Sequence, residues 1–263
     1  GFLGDRVVQS LEGDTRRQFE SIDLAITPIE ADDEAAGVEF ELRLPSTVAD
    51  EVAAIDGVDA TAGILTGAAA LRDTDGEVVE ESAGRVWVSD ADLNPLELAD
   101  GRGPEAGDEI AVDQGIADDQ GLAVGSSTIA LTLAGEFDVT VVGITRFGDS
   151  DRFEGGTISV HESVGFDWLA DGQAEYQAIY ARTESGSQTA LAAFAEPITP
   201  AGFEVQTGDA FVADQVDQFG SIGKILKRAL QFFAILALFV GGFVIYNTFS
   251  VLVAQRLKEL AVL

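Results

Sequence analysis

Several short stretches of this chain alternate between apolar and polar residues. Val38, Phe40, Leu42 and Leu44 are apolar with polar neighbours, which is the two-residue period of a half-buried strand. Pro45-Ser46 breaks the run. Ser46 offers an N-cap, and Ala49, Val52, Ala53 and Ile55 then recur at helical spacing until Gly57. VDATAGIL returns as a strand, so this region reads as a β-α-β unit. A comparable unit occurs late in the chain. EYQAIYART reads as a strand, ESGSQTALAAFAEPI as a helix entered at Ser185 or Ser187, and GFEVQTG as the returning strand. The two units predict an internal pseudo-repeat with little identity between its copies.

The intervening chain is rich in strand signals. AALRDTDGEVVEE predicts a hairpin with Asp75-Gly76 at its turn, and SSTIALTLAGEFDVTVVGITRF a second hairpin around Gly135. GRVWVSD, DEIAVDQ and GTISVHE predict further strands, and Gln114–Gln120 a short helix. Near the start, residues 5–22 carry a weak helical period, followed by a strand around Ile22–Thr27 that ends at Pro28. After Gly208 the pattern turns helical again through Phe211, Val212, Val216, Phe219, Ile222, Ile225 and Leu226. That helix predicts a stalk running into the segment behind it.

The segment behind it is of a different kind. From Ala229 to Gln255 no residue is charged. Ala229–Val253 would span roughly 38 Å as a helix, against about 30 Å of hydrocarbon in a bilayer. A core helix of a soluble domain is ordinarily about 10–14 residues long and keeps a polar face. The pattern therefore predicts a transmembrane helix over 229–254. Ala234, Ala237, Gly241 and Gly242 are small and partly share one face, where a neighbouring membrane helix could approach closely. Asn247 needs a partner in lipid and predicts a packing contact or an interfacial position.

Charge divides the chain at the same place. Residues 1–222 hold 45 Asp+Glu against 10 Lys+Arg, a net −35, whereas the last 41 residues hold five Lys+Arg and one Glu, a net +4. The acidic part would repel phosphates, which excludes a nucleic-acid role. Its acids are scattered, as on a well-solvated surface, and would suit a saline exterior or a cationic partner. Lys224, Lys227 and Arg228 before the span slightly outnumber Arg256 and Lys258 after it, so charge alone favours a cytoplasmic N-side. A large domain overrides such a count. The chain contains neither Cys nor Met, which removes disulfides and thiol chemistry. With Gly1 first and no signal-peptide pattern, it reads as a segment of a longer protein.

Catalytic signatures do not survive their spacing. FGSIGKIL lacks the phosphate-loop spacing, GRGPEAG is out of register for a dinucleotide fingerprint, and no GxSxG elbow occurs. The single His161 cannot build a His-based zinc site. Asp90, Asp92 and Asn94 have calcium-loop spacing, but Pro95 stands where the glycine should be and Gly101 where the bidentate Glu should be. They read as an acidic turn. The expectation is a protein that is not an enzyme and carries no cofactor or metal.

FVGGFVIYNTFSVLVAQRLKELAVL resembles the second transmembrane helix of the MacB/FtsX-like family of ABC transporter permeases, in its actinobacterial form. GRGPEAGDEIAVDQGIADDQGLAVGSS and FDVTVVGITRFGDSD resemble the extracytoplasmic domain of the same permeases. The resemblance implies an α+β fold: a MacB-like domain with porter-like β-α-β units and a β-rich inserted lobe, then a stalk and one transmembrane helix. The implied extracytoplasmic domain is 1–228, with porter-like parts about 22–66 and 175–207, the lobe about 67–174 and the stalk helix 208–228. The span is 229–254, anchored in membrane lipid, and 255–263 begins a cytoplasmic coupling helix. By that resemblance Gln255, Arg256, Lys258, Glu259 and Leu260 meet an ABC ATPase subunit, and a second permease subunit completes a homo- or heterodimer. The implied function is that of a permease in the cell membrane, coupling ATP hydrolysis to export or extraction of a lipoprotein, lipid, peptide or drug by mechanotransmission. The alternatives are an FtsX-type regulator of a cell-wall hydrolase and a membrane-anchored extracellular binding domain.

Overall fold

A computed structural model describes residues 13, 16–29, 42–72, 78, 82–153, 155–184, 186–216, 232–233, 236–246 and 249. The chain divides into two compact units, Gly13–Val216 and a second formed by Gly1–Glu12 with Asp217–Leu263. The first unit begins with β1 (Leu24–Pro28), β2 (Leu44–Pro45), α1 (Ser46–Ala53), β3 (Val58–Ile64), β4 (Thr66–Arg72), β5 (Ser82–Val86) and β6 (Glu97–Gly101). It continues with β7 (Glu109–Asp113), α2 (Gln114–Gln120), β8 (Ser127–Thr132), β9 (Gly135–Arg146), β10 (Thr157–Val160) and α3 (Glu162–Leu169). It closes with β11 (Glu175–Tyr176), β12 (Ala178–Thr183), α4 (Gln188–Ala195) and β13 (Phe203–Thr207), after which residues 208–216 are helical.

Four strands pair in the order β13-β1-β12-β3, all antiparallel. β12 and β13 thus run parallel on either side of β1, joined by α4, which makes the late unit a split β-α-β. Period-2 alternation sends side chains to both faces. Leu24, Ile26, Ile179 and Ala181 pack on one face with Val48 and Val52 of α1 and with Leu191 and Ala195 of α4. Ala25, Ala62, Ile64, Ala178 and Tyr180 pack on the other. Pro28 is tolerated at the end of β1 because pairing with β12 stops at Ile26.

The remaining large sheet is ordered β6-β9-β7-β10-β5-β4-β8, and β8 also pairs with β9. That last pairing closes six strands into a ring. The twelve-residue β9 makes closure possible, since its first half pairs with β8 and its second half with β6, while β7 runs along its other edge. Ile110, Val112, Val139, Val141, Ile158 and Val160 form the core of the ring together with Trp168 and Leu169 of α3. Phe137 stacks on Trp168 with ring centroids 4.6 Å apart. Gly67 is required here, because a Cβ would overlap the backbone of Leu169. In the four-stranded sheet, Gly63 plays the same part beneath the ring of Tyr176.

Several expectations change. α1 begins at Ser46 and has Pro45 at its N-cap, without a side-chain cap bond. The Ser46 amide instead donates to the Ala174 carbonyl at 2.8 Å, because β2 runs up to the helix and pairs with β11. Only the end of the strand expected over Val38–Leu44 lies among the described residues. The turn at Asp75-Gly76 lies outside them, but β4 and β5 do pair as a hairpin. β6 and α3 were not anticipated. β6 is exposed throughout and carries no alternation to reveal it. α3 is capped by His161, whose Nδ1 accepts from the Ser163 amide at 3.2 Å and also bonds its hydroxyl at 2.8 Å.

Two acidic side chains hold the strand ends of the ring. Glu109 opens β7 and is gripped by Arg102, whose Nη1 and Nη2 donate at 2.7 and 2.6 Å. That fork, with the Glu105 amide, holds the Glu109 carboxyl down at about 2. Asp113 closes β7, caps α2 and is fully buried. Its Oδ1 accepts from the Ile116 amide at 2.9 Å, and its Oδ2 from the Thr157 and Phe153 amides at 2.8 and 3.4 Å. Burial pushes this carboxyl up, against the pull of the three amides. An amide side chain would turn a donor toward donors. Asp113→Asn is therefore expected to lower stability by about 1–3 kcal/mol, the penalty for orphaned buried donors, read as a fall in the urea midpoint. An unchanged midpoint would show that the amides at 153 and 157 do not depend on the second oxygen.

Candidate functional site

The described part of the second unit is apolar and exposed on every side. Residues 236–246 are helical. Consecutive residues step about 100° around a helix, and here Leu238, Phe239, Val240, Phe243, Val244, Ile245 and Tyr246 are all exposed, Leu238 by 78%. A helix apolar all round belongs inside a protein core or a membrane. Ala237, Gly241 and Gly242 lie on it, and a Cβ at either glycine would meet nothing within 4 Å. Ala234 and Asn247 lie outside the described residues, as do Gln255, Arg256, Lys258, Glu259 and Leu260. Among the described residues no helix is long and apolar enough to cross a membrane. Of the expected span 229–254, residues 232–233, 236–246 and 249 are described.

The first unit ends in a tightly held joint. At Gly208, where the terminal helical stretch begins, a Cβ would collide with the Ile22 carbonyl, and the Gly208 amide donates to the Asp23 carbonyl at 2.9 Å. The Asp23 carboxylate accepts from the Thr183 amide at 2.8 Å and from Gln188 Nε2 at 3.1 Å. Gln188 Oε1 in turn accepts from the Asp209 amide at 3.1 Å. One turn on, Phe211 is 2% exposed and packs between Phe19 (5.7 Å, edge-on) and Tyr180 (5.1 Å). Phe19 lies 6.4 Å from Phe147, Phe147 lies 4.8 Å from Phe153, and the Arg85 guanidinium sits 5.6 Å over the Phe153 ring. A file of rings thus leads from the terminal helix, past the four-stranded sheet, to the strand ring.

A charged link joins the same two sheets. Arg182 on β12 reaches Asp59 on β3 at 2.6 Å, and Asp90 and Asp92, in the loop after β5, at 3.1 and 3.2 Å. These carboxylates raise the arginine's pKa against the opposing effect of burial. Asp90 also accepts from the amides of Asp92 and Leu93, and Asn94 is buried, donating to the Val88 carbonyl. The acidic turn therefore serves a salt-bridge network. Among the described residues no group of three or more His, Asp or Glu could hold a metal ion. One basic residue in a strand of a very acidic chain was the only sign of the Arg182 network legible beforehand. The ring file had only a run of unassigned phenylalanines as its signal.

No family model and no curated protein sequence matches the chain. Solved structures do. The extracellular domain of the noncanonic ABC-type transporter YknZ from Gram-positive bacteria aligns with 71% of this chain and 99% of its own, at 16% identity and a TM-score of 0.50. The periplasmic region of MacB from Actinobacillus actinomycetemcomitans aligns with 74% of this chain and 93% of its own, at 10% identity and a TM-score of 0.57. The chain has the fold of the extracytoplasmic domains of MacB- and YknZ-type transporters, as the α+β resemblance implied.

Phe211 is the ring on which the joint closes. Phe211→Ala should lower stability by about 3–5 kcal/mol, as for buried aromatic truncations generally, whereas Phe211→Leu should recover most of it. Chemical unfolding followed by far-UV circular dichroism measures both. If the alanine variant unfolded at the parent midpoint, the joint would not depend on this ring.

Proposed function

We propose that the chain is part of the permease subunit of an ABC transporter, with residues 1–228 outside the cytoplasm and 229–254 crossing the membrane. The observation that carries this reading is the helix 236–246, apolar and exposed all round, in the same chain as a MacB-like domain. An exposed surface of that kind is unstable in water and stable in lipid. Ala234, Ala237, Gly241, Gly242 and Asn247 then face a neighbouring membrane helix, from this subunit or from a second permease subunit. Residues 255–263 enter the cytoplasm, where Gln255, Arg256, Lys258, Glu259 and Leu260 dock on a separate ATPase.

Work then passes along the chain. Movement of the ATPase shifts the cytoplasmic end, and the membrane helix carries it outward to the helix ending the domain. The joint at Gly208 and Phe211 is built to hold that helix against the four-stranded sheet, and the ring file and Arg182 continue the contact to the strand ring. The cargo is amphipathic: a lipoprotein, lipid, peptide or drug. No catalytic group is needed in the chain, since the energy comes from the partner.

The chain lacks cysteine, so single-cysteine variants of the full-length protein report topology cleanly. Asp149→Cys should react with a membrane-impermeant maleimide in intact cells, and Ala261→Cys only after permeabilisation. The reverse pattern, or labelling of both in intact cells, would overturn the topology. The ATPase contact has its own test. Arg256→Glu combined with Glu259→Arg should abolish co-purification of the ATPase while leaving membrane insertion intact, and undiminished co-purification would rule out docking through this segment.

A further inference from the structure

We infer that the acidic domain is built for a medium of concentrated salt and holds its fold only when its charge is strongly screened. Residues 1–222 contain no lysine at all, and their ten basic residues are all arginine. Most of the described arginines are committed to carboxylates. Arg72 pairs with Glu136, Arg102 with Glu109, Arg146 with Asp151, Arg152 with Asp119, and Arg182 with three aspartates. Arginine suits this use because its planar fork binds carboxylates in two places, while lysine carries a point charge on a long flexible stem. The pairing neutralises a minority of the acids. Glu51, Asp56, Asp108, Asp138, Asp149 and Glu204 are exposed and form no side-chain hydrogen bond or ion pair among the described residues.

Such a surface works against its own fold. Self-repulsion grows with the square of the net charge, and compaction brings the charges together. Screening decides how much of this repulsion survives: the Debye length is about 10 Å at 0.1 M and about 3 Å at 1 M. At molar salt only near neighbours still interact, and those near neighbours include the arginine pairs that hold loops and sheets together. At low salt the whole surface repels itself. The effect belongs to the ionic atmosphere and involves no individual cation site. The inference does not rest on the transporter reading.

The test uses the chain in a non-ionic detergent, with thermal unfolding followed by circular dichroism. The midpoint should rise by about 15 °C or more between 0.1 M and 2 M KCl, or the fold should be absent at 0.1 M and recovered on adding salt. A variant with Glu51→Gln, Asp56→Asn, Asp108→Asn, Asp138→Asn, Asp149→Asn and Glu204→Gln should be the more stable at 0.1 M, and its salt shift should fall by about a third, following the square of the charge. Sucrose at matched osmolality in 0.1 M KCl should not reproduce the rise. A midpoint indifferent to salt, a rise matched by sucrose, or an undiminished shift in the neutralised variant would each overturn the inference.

Discussion

Burial of the four-stranded sheet on both faces is the constraint on which the rest of this domain depends. A sheet exposed on one face needs a single layer of cover; this one needs two. Helices α1 and α4 supply the first, through Val48, Val52, Leu191 and Ala195. The second has no helix of its own among β1–β13. It is assembled from Phe19 and Ile22 ahead of β1, Phe211 and Val212 after β13, and Val88, Leu93 and Phe147 from chain between strands of the other sheet. Segments from both ends of the unit must therefore converge on one surface, and the strand ring must present its loops there. The aromatic joint and the Arg182 network follow from that convergence.

The strand ring solves its packing differently. It closes on itself, so that one long strand serves two neighbours along a single edge. Closure removes the free edges of the six ring strands, leaving only β6 as an edge, but forces strand ends and helices into tight quarters. Gly67 admits the backbone of Leu169, and Asp113 turns the chain from β7 into α2 while reaching back to the amides at 153 and 157. A buried carboxylate is a costly choice unless its oxygens are all used. Here both oxygens accept from the backbone, and the site reads as a clamp for a turn. Its raised pKa has a structural cause and signals no chemistry.

Period-2 alternation and Gly-bounded runs made β3, β7–β10, β12 and β13 legible in the sequence; α2 and α4 were legible too, α4 entering after Ser187, whose side chain makes no cap bond. The failures have physical reasons. β6 is an edge strand exposed along its length, and nothing in its side chains reports the backbone pairing that defines it. α3 begins after a histidine cap and carries Gly165 in its middle, a residue that weakens any helical pattern; Val86 occupies the space its side chain would fill. The Arg182 contacts join residues up to 123 positions apart (Arg182 and Asp59), and periodicity carries no such information. The apolar character of the segment after 228 was plain.

The mechanical role proposed above would account for how little local chemistry the described residues show. A protein that acts through transmitted movement needs stiffness where forces enter and cover where surfaces would otherwise stick. The joint at Gly208 and Phe211 has the first property: hydrogen bonds to backbone and side chain fix the start of the helix, and a ring with 2% exposure fixes its rotation. The acidic surface has the second, since it presents strongly hydrated carboxylates in place of apolar area. The exposed apolar helix 236–246 has neither, and in water it would be a liability. In the membrane setting proposed above, lipid would cover that helix while leaving the charge of the domain and the contacts of the joint unchanged.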